Sequence, residues 1–442
     1  MTANQSLKPI TTIVNSDGNL SVGGCDLVKL AEQYGTPLYV IDEKTLRTVC
    51  QEYKTAFSKY PKTHLMFASK ALCSMGTTAV IKSEGFGFDA VSAGELYTLY
   101  KAGVDMETVH LNGNNKSYDD LITAINFGVG RFSVDNFYEL SLLDTIAKSS
   151  NKEINIWLRI TPGIECHTHE YIQTGYLDSK FGFDMTQINE AVDLIQNEYT
   201  NIKLKGLHAH VGSQIFDTSI FSDEIEILIK ELVRLDKKYG LKLDEINVGG
   251  GMAVKYTEND TPPSIDDMAK VIIDALENNI KKYQIEPPTL ILEPGRSLIS
   301  TSGVTLYTIG SSKQVPEGTK YIAVDGGMAD NIRHALYQAE YTAQIANKPN
   351  DTSSLQKVTI VGRFCESGDV LIEDINLPNP EEGDILCVFN TGAYNYSMSS
   401  NYNRVEKPAM VLVNNSQSDM IVSRESLEDL ISHDIIPNRL RK

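Results

Sequence analysis

Paired cysteines are missing from this chain. Its six cysteines stand at positions 25, 50, 73, 166, 365 and 387, with no CxxC pair and no tight framework. That excludes a disulfide-built fold and fits thiols kept reduced in a cytosolic compartment. The opening MTANQSLKPITTI has no basic region followed by an apolar stretch, so no secretory signal is expected. It is also too short and too poor in arginine for a plastid transit peptide. No window approaches about eighteen continuous apolar residues, so no membrane span is expected. Positive charge is scarce as well: 40 Lys and Arg stand against 58 Asp and Glu, a net charge of −18. Such a balance argues against nucleic acid or an anionic membrane as partner. It leaves an anionic small substrate open, because such a molecule feels only its own pocket. Repeats, low-complexity tracts and long linkers are absent.

What remains is an ordinary globular composition, 41% hydrophobic and 22% charged. At 442 residues the chain exceeds the usual size of one core, and two domains are expected. From residue 64 onward, short apolar runs alternate with longer amphipathic stretches. The runs are 65–69, 87–92, 108–112, 131–134, 154–160, 204–211, 245–248 and 289–293. Helical patterns separate most of them, as at 92–102, 117–126 and 219–239. Eight strand–helix units predict a (β/α)8 barrel rather than an open doubly wound sheet. The runs are apolar throughout rather than alternating, as strands covered on both faces should be. After residue 297 the texture changes to short alternating stretches at 304–309, 321–324, 357–361, 384–389 and 409–413, punctuated by Gly, Pro, Asn and Asp. The expected architecture is thus a barrel over 43–300 and a discontinuous β-sandwich or β-barrel domain over 1–42 and 301–442. Residues 37–41 are expected to pair with that second domain.

Reactive groups of such a barrel gather at the carboxyl ends of its strands. Those ends carry Lys70, Asp89, His210 with Ser213, the glycine turn Gly249, Gly250 and Gly251, and Glu293 with Arg296. A lysine at a strand end suits imine chemistry, and also suits simple solvation. A glycine turn exposes backbone N–H groups that can cradle phosphate, or is only a tight turn. His208 and His210 share a face by their spacing and read either as ligands or as packed core histidines. A carboxylate at Glu293 can bond a protonated heterocycle nitrogen, and Arg296 can bind an anion in two-pronged fashion. A second histidine-rich run, 165–170, resembles a ligand cluster in composition, but its spacing fits no standard zinc motif, so no metal is expected.

Nine segments in order resemble the fold-type III decarboxylases that use pyridoxal phosphate, most specifically their diaminopimelate-acting branch. They are Phe67-Ala-Ser-Lys70-Ala, Phe88-Asp89-Ala-Val-Ser-Ala-Gly-Glu95, His210-Val-Gly-Ser-Gln214, Gly249-Gly-Gly251 and Glu293-Pro-Gly-Arg296. Val324-Asp-Gly-Gly-Met328, Ile332-Arg333-His-Ala-Leu-Tyr337, Cys365-Glu366-Ser-Gly-Asp369 and Gly392-Ala-Tyr394 complete the set. The resemblance implies that Lys70 carries pyridoxal 5'-phosphate through an imine and that His210 stacks on its ring. It implies that Glu293 keeps the ring nitrogen protonated. Asp89 falls in the cofactor-binding set. Gly249, Gly250, Gly251, Ser213 and the Gly295-Arg296 backbone would bind the phosphate, joined by Tyr394 from a neighbouring subunit. Cys365, also from the neighbour, would return a proton to the substrate, which makes a homodimer necessary. Arg296, Arg333, Tyr337, Glu366 and Tyr394 would grip the far end of the substrate.

In the related ornithine-type enzymes the cysteine is usually followed by Asp; here Glu366 follows Cys365, and Arg333 adds a positive group. A far end bearing both amine and carboxylate fits, as in meso-diaminopimelate, with L-lysine as product. One departure is His334, where the family usually has proline. The rival readings are a decarboxylase of another basic amino acid, an inactive regulatory relative, and a racemase on the same barrel. Retention of Lys70, His210, Glu293 and Cys365 speaks against the second. Glu293, where a racemase would need arginine, speaks against the third.

Overall fold

The structure is a computed structural model that describes residues 2–163 and 179–441. The chain divides into two compact units. The first comprises Met1–Ser6, Leu46–Lys255 and Asn259–Ser300; the second comprises Leu7–Thr45, Tyr256–Glu258 and Thr301–Lys442.

The first unit is a closed barrel of eight parallel strands: β1 (Thr63–Ala68), β2 (Gly87–Ala90), β3 (Val109–Leu111), β4 (Arg131–Val134), β5 (Ile154–Thr161), β6 (Ile202–His208), β7 (Glu245–Asn247) and β8 (Thr289–Leu292). Each of the eight apolar runs became one strand. Closure is made by β8 against β1, with Leu290 opposite Thr63 and Leu292 opposite Leu65. Several strands stop a residue or two short of the apolar run that announced them, and polar residues such as Asn112, whose N–H still bonds Ala90 O at 2.8 Å, stand at those ends.

The helices between strands start where the sequence supplies caps. Ser92 accepts the Glu95 N–H at the start of Ala93–Lys101. Ser117 with Asp120 and Ser264 with Asp267 form capping boxes for Tyr118–Phe127 and Ile265–Tyr283. Near the amino ends of the strands, Arg131 grips Glu245 with two hydrogen bonds of 2.9 and 2.6 Å, and Trp157 donates to the same carboxylate at 2.6 Å. This charge-assisted plug ties β4, β5 and β7 together at the end away from the chemistry. The first few residues belong to this unit because Asn4 donates its amide to the carbonyls of Ala253 and Pro263, at 3.1 and 2.9 Å.

The second unit is built on the strand Leu38–Asp42. It runs antiparallel to Gly303–Gln314 and parallel to Ala409–Asn414. The long strand Gly303–Gln314 bends from one pairing to another: its first half meets Ile385–Phe389, its second half Lys320–Val324. Leu355–Val361 and Val370–Pro378 extend the sheet from there. Leu38, Val40, Val304, Leu306, Phe389 and Val411 form its core. Strands Val370–Pro378, Ala343–Ile345 and Gln417–Val422 add to those expected from sequence. Among the described residues no helix is long and apolar enough to cross a membrane.

Candidate active site

The barrel mouth holds a continuous polar network. Glu293, just past β8 and buried, accepts from Asn247 at 2.6 Å and from Asn112 at 3.3 Å, both on Oε1. The other Asn112 N–H goes to Asp89 on β2, so one amide bridges two carboxylates. Asn247 in turn accepts the Gly249 N–H at 2.8 Å, and the Gly250 N–H meets His210 Nδ1 at 3.3 Å. Lys70 sits in a one-turn 3-10 helix, Ser69–Ala71, directly after β1. Its charge reaches Asp89, Glu95, Glu293 and His210 strongly enough to shift their protonation.

Burial and charge separate these groups. Burial pushes the Asp89 carboxyl well above its ordinary range, and nearby Glu293 pushes it further. Glu293 is also raised by burial, but the Asn247 hydrogen bond, Lys70 and Arg159 oppose the rise. Asp89 is therefore the member that keeps a proton, and Glu293 the one equipped to be ionised. Burial, with Lys70 and Arg159, holds His210 well below the usual imidazole range, so its ring is neutral. Burial lifts Glu95 to about 7.

The glycine turn is specified by lack of room. A Cβ on Gly250 would lie 2.3 Å from the Glu293 carbonyl oxygen, and one on Gly251 2.4 Å from the Gly212 oxygen. Gly249 and Gly251 also adopt φ of 61° and 115°, conformations that favour glycine. Beside the turn, the Arg296 guanidinium donates to Ser213 Oγ at 3.3 and 3.2 Å, and Gly295 precedes the short helix Arg296–Ile299.

Lys70, Asp89, His210, Ser213, Gly249, Gly250, Gly251, Glu293, Gly295 and Arg296 thus all lie in the barrel unit at one end of its strands. Sequence reasoning missed Asn112, Asn247 and Arg159. Asn112 ends an apolar run and reads as a mere terminator, and Asn247 is the last residue of β7, where it reads as part of the strand. The segment after Asn112 is tied down by a buried ion pair: Lys116 donates to Glu139, Gly113 O and Ser133 O at 2.7–2.8 Å. His208 does not join His210. It pairs with Ser133 Oγ at 2.6 Å inside the barrel, its Nε2 3.7 Å from Glu293. Among the described residues no group of three or more His, Cys, Asp or Glu is placed to hold a metal ion. The run 165–170 lies outside the described residues.

Arg333, Tyr337, Cys365, Glu366 and Tyr394 lie in the second unit. Cys365 and Glu366 are exposed on a loop organised by buried Asp369, whose carboxylate accepts the N–H groups of Met328 and Phe364 at 2.7 and 2.8 Å. Tyr402 donates to Glu366. Arg333 is buried, and its Nη1 donates to the hydroxyls of Tyr256 and Tyr341. Tyr394 is half-buried at φ 62°. His334 is the second residue of the helix Arg333–Tyr337, in the first turn, where backbone N–H groups have no helical partner. Proline and histidine are equally compatible with that position.

Residues 45–300 match the family model described as "Pyridoxal-dependent decarboxylase, pyridoxal binding domain". The diaminopimelate decarboxylase of Synechocystis is 46% identical, over 99% of this chain and 94% of its own length. That of Bacillus subtilis is 46% identical over 96% of this chain and 97% of its own. The crystal structure of M. jannaschii diaminopimelate decarboxylase in complex with L-lysine superposes with a TM-score of 0.92 at 34% identity, covering 100% of both chains. The barrel, its lysine and glutamate, and this agreement along nearly the full length together establish that the chain belongs to the diaminopimelate decarboxylase family of pyridoxal-dependent decarboxylases.

Proposed function

We propose that the chain removes CO2 from meso-2,6-diaminopimelate to give L-lysine, with pyridoxal 5'-phosphate as cofactor. The observation that carries this reading is Glu293, a buried carboxylate held by two side-chain amides within the electrostatic reach of Lys70. An ionised acid in that cage is suited to holding a proton on a heterocyclic nitrogen. The residues present fit the cofactor in a second way. The turn at Gly249, Gly250 and Gly251 leaves space that any Cβ would fill, so backbone N–H groups can close on a phosphate.

When bound, pyridoxal phosphate supplies the electron sink for the pair released as the Cα–carboxylate bond breaks. Everything else falls to the protein. Lys70 would hold the cofactor covalently through Nζ, at the carboxyl end of β1. Neutral His210 offers a ring face for stacking, and neutral Asp89 shares Asn112 with Glu293 without adding a second negative charge. Ser213, Gly295, the Arg296 backbone N–H and Tyr394 complete the phosphate cradle with the glycine turn. Cys365 delivers the proton that replaces the lost carboxylate. We assign Cys365 and Tyr394 to the partner subunit of a homodimer, on the family resemblance and on the exposure of Cys365 and Lys70 in the single chain.

Substrate choice rests on Arg333 and Glu366, a cation and an anion suited to a far end that carries both charges; the family resemblance adds Arg296, Tyr337 and Tyr394 to the substrate-binding set. Five free cysteines among the described residues support a cytoplasmic location. The test is direct. Purified protein with pyridoxal phosphate and meso-diaminopimelate should release lysine and CO2 in equal amounts. Turnover of ornithine or arginine in preference to diaminopimelate would overturn the substrate assignment.

A further inference from the structure

We propose that Tyr256 and Tyr341 are positioning residues that aim Arg333 at the distal carboxylate of the substrate, an inference that rests on the function proposed above. Arg333 is only 6% exposed, and it forms no ion pair among the described residues. A buried guanidinium without a carboxylate is costly in a folded protein, so this one is kept for an anion that arrives from outside. Its immediate neighbours are two phenols, themselves 7% and 4% exposed.

The hydrogen bonds leave one edge of the group for the ligand. Nη1 has two hydrogens. One goes to Tyr256 Oη at 3.1 Å, the other to Tyr341 Oη at 2.8 Å. Nη1 is thereby saturated. Nε and Nη2 donate to nothing among the described residues, and neither is sealed in the interior as an orphaned atom. The Nε–Nη2 edge is a fork that matches both oxygens of one carboxylate. Had Nη1 been left open, the guanidinium could turn and present its other edge.

The phenols also fix the plane of the group. Arg333 Cζ lies 5.4 Å from the Tyr256 ring and 5.8 Å from the Tyr341 ring, and the two rings meet edge to face at 84° with centroids 5.5 Å apart. Proton directions are consistent throughout. Tyr341 accepts from Arg333 and passes its own hydrogen to Asn395 Oδ1 at 3.3 Å. Tyr256 is anchored through its backbone, whose carbonyl accepts from Thr342 Oγ1 at 2.9 Å. The chain Asn395–Tyr341–Arg333–Tyr256 therefore links the residue after Tyr394 to the far-end cation, and sets its orientation before substrate binds.

The test uses the holoenzyme and two competitive ligands. 2-Aminopimelate keeps the distal carboxylate and lacks the distal amine; 1,5-diaminopentane, the C5 diamine left when both carboxylates are removed, keeps the distal amine and lacks the carboxylate. In Tyr256→Phe, Tyr341→Phe and the double variant, KM for meso-diaminopimelate and the inhibition constant of 2-aminopimelate should each rise about tenfold. The affinity for 1,5-diaminopentane and kcat should stay within about twofold, as should the visible absorption of the bound cofactor. Equal weakening of both ligands marks a merely structural role and overturns the inference. So does unchanged 2-aminopimelate binding in variants that melt like the parent. Arg333→Ala separates the two levels of the claim. If it weakens 2-aminopimelate while the phenylalanine variants do not, only the positioning role fails; if it too has no effect, the substrate reading itself falls.

Discussion

Replacing Gly250 by alanine adds one methyl group to the barrel mouth, and its cost follows from three distances. The new Cβ would stand 2.3 Å from the Glu293 carbonyl oxygen, 3.1 Å from its carbon and 3.6 Å from Pro294 Cα. Ordinary contact needs about 3.4 Å, so the turn or the segment after β8 must retreat by roughly 1 Å. Neither moves alone. The Glu293 N–H donates to Gly249 O at 2.7 Å, and the Gly249 N–H is held by Asn247, which also holds Glu293. Strain of this kind costs about 1–3 kcal/mol. It falls on the cradle and on the Glu293 carboxylate together, so pyridoxal phosphate should bind on the order of ten- to a hundredfold more weakly.

Gly94→Ala is the matched control. It lies in the helix Ala93–Lys101, and the nearest atom to its Cβ is Ser92 Oγ at 3.7 Å. That change should be neutral or stabilising by up to about 1 kcal/mol. Cofactor titration by absorbance and thermal melts of both variants measure the contrast. A Gly250→Ala protein that binds cofactor like the parent would refute the reasoning that the turn has no room.

Three further outcomes are expected. Borohydride reduction of the native protein should fix the label on Lys70, and Lys70→Ala should lose both the visible absorption and turnover; a label on another lysine would displace the central assignment. Lys70→Ala and Cys365→Ala homodimers should each be nearly inactive, yet recover roughly a quarter of parental activity when mixed under proven subunit exchange, because half the dimers are mixed and each holds one intact site. No recovery would remove Cys365 from a shared site. Glu224, in the helix Ser219–Tyr239, is fully buried with both oxygens unpaired among the described residues, and burial pushes its carboxyl well above the usual range. The unfolded glutamate ionises near pH ~4.3, so the native state is favoured below that pH and loses ground as pH rises toward the folded value. Glu224→Met should therefore raise the melting temperature, by more at pH ~8 than at pH ~4.5; the opposite ordering would mean that Glu224 is ionised in the fold.

The barrel was legible because its strands are buried on both faces, which makes each one a plain apolar run that can be counted. Lys70, Asp89, His210 and Glu293 stood out for the complementary reason, as polar residues within, ending or directly following such runs. Strand Val370–Pro378 escaped notice because Glu373 and Asp374 sit exposed in its middle and its pairing with Leu355–Val361 slips register twice. Asn112 and Asn247 act only through the geometry that brings both amides to one carboxylate oxygen, across 181 and 46 residues of chain. Tyr256 is further still from notice. It lies 77 residues before Arg333 in a segment that reads as a loop, and only the folded second unit brings the two together.

The strand Leu38–Asp42 also sets a timetable for synthesis. All five of its residues are buried, yet its partners Gly303–Gln314 and Ala409–Asn414 begin about 260 and 370 residues later. At ~5–20 residues per second, some tens of seconds pass between its emergence from the ribosome and that of its first neighbour. In that interval every residue needed to close the barrel is made, while an apolar strand with two unsatisfied edges waits in solvent. Such an edge is a template for the wrong chain. Truncations that end near residue 300 should therefore aggregate even where their barrel is sound. Holdase chaperones should act on the nascent chain early, at its first forty-five residues, rather than on the large unit that follows.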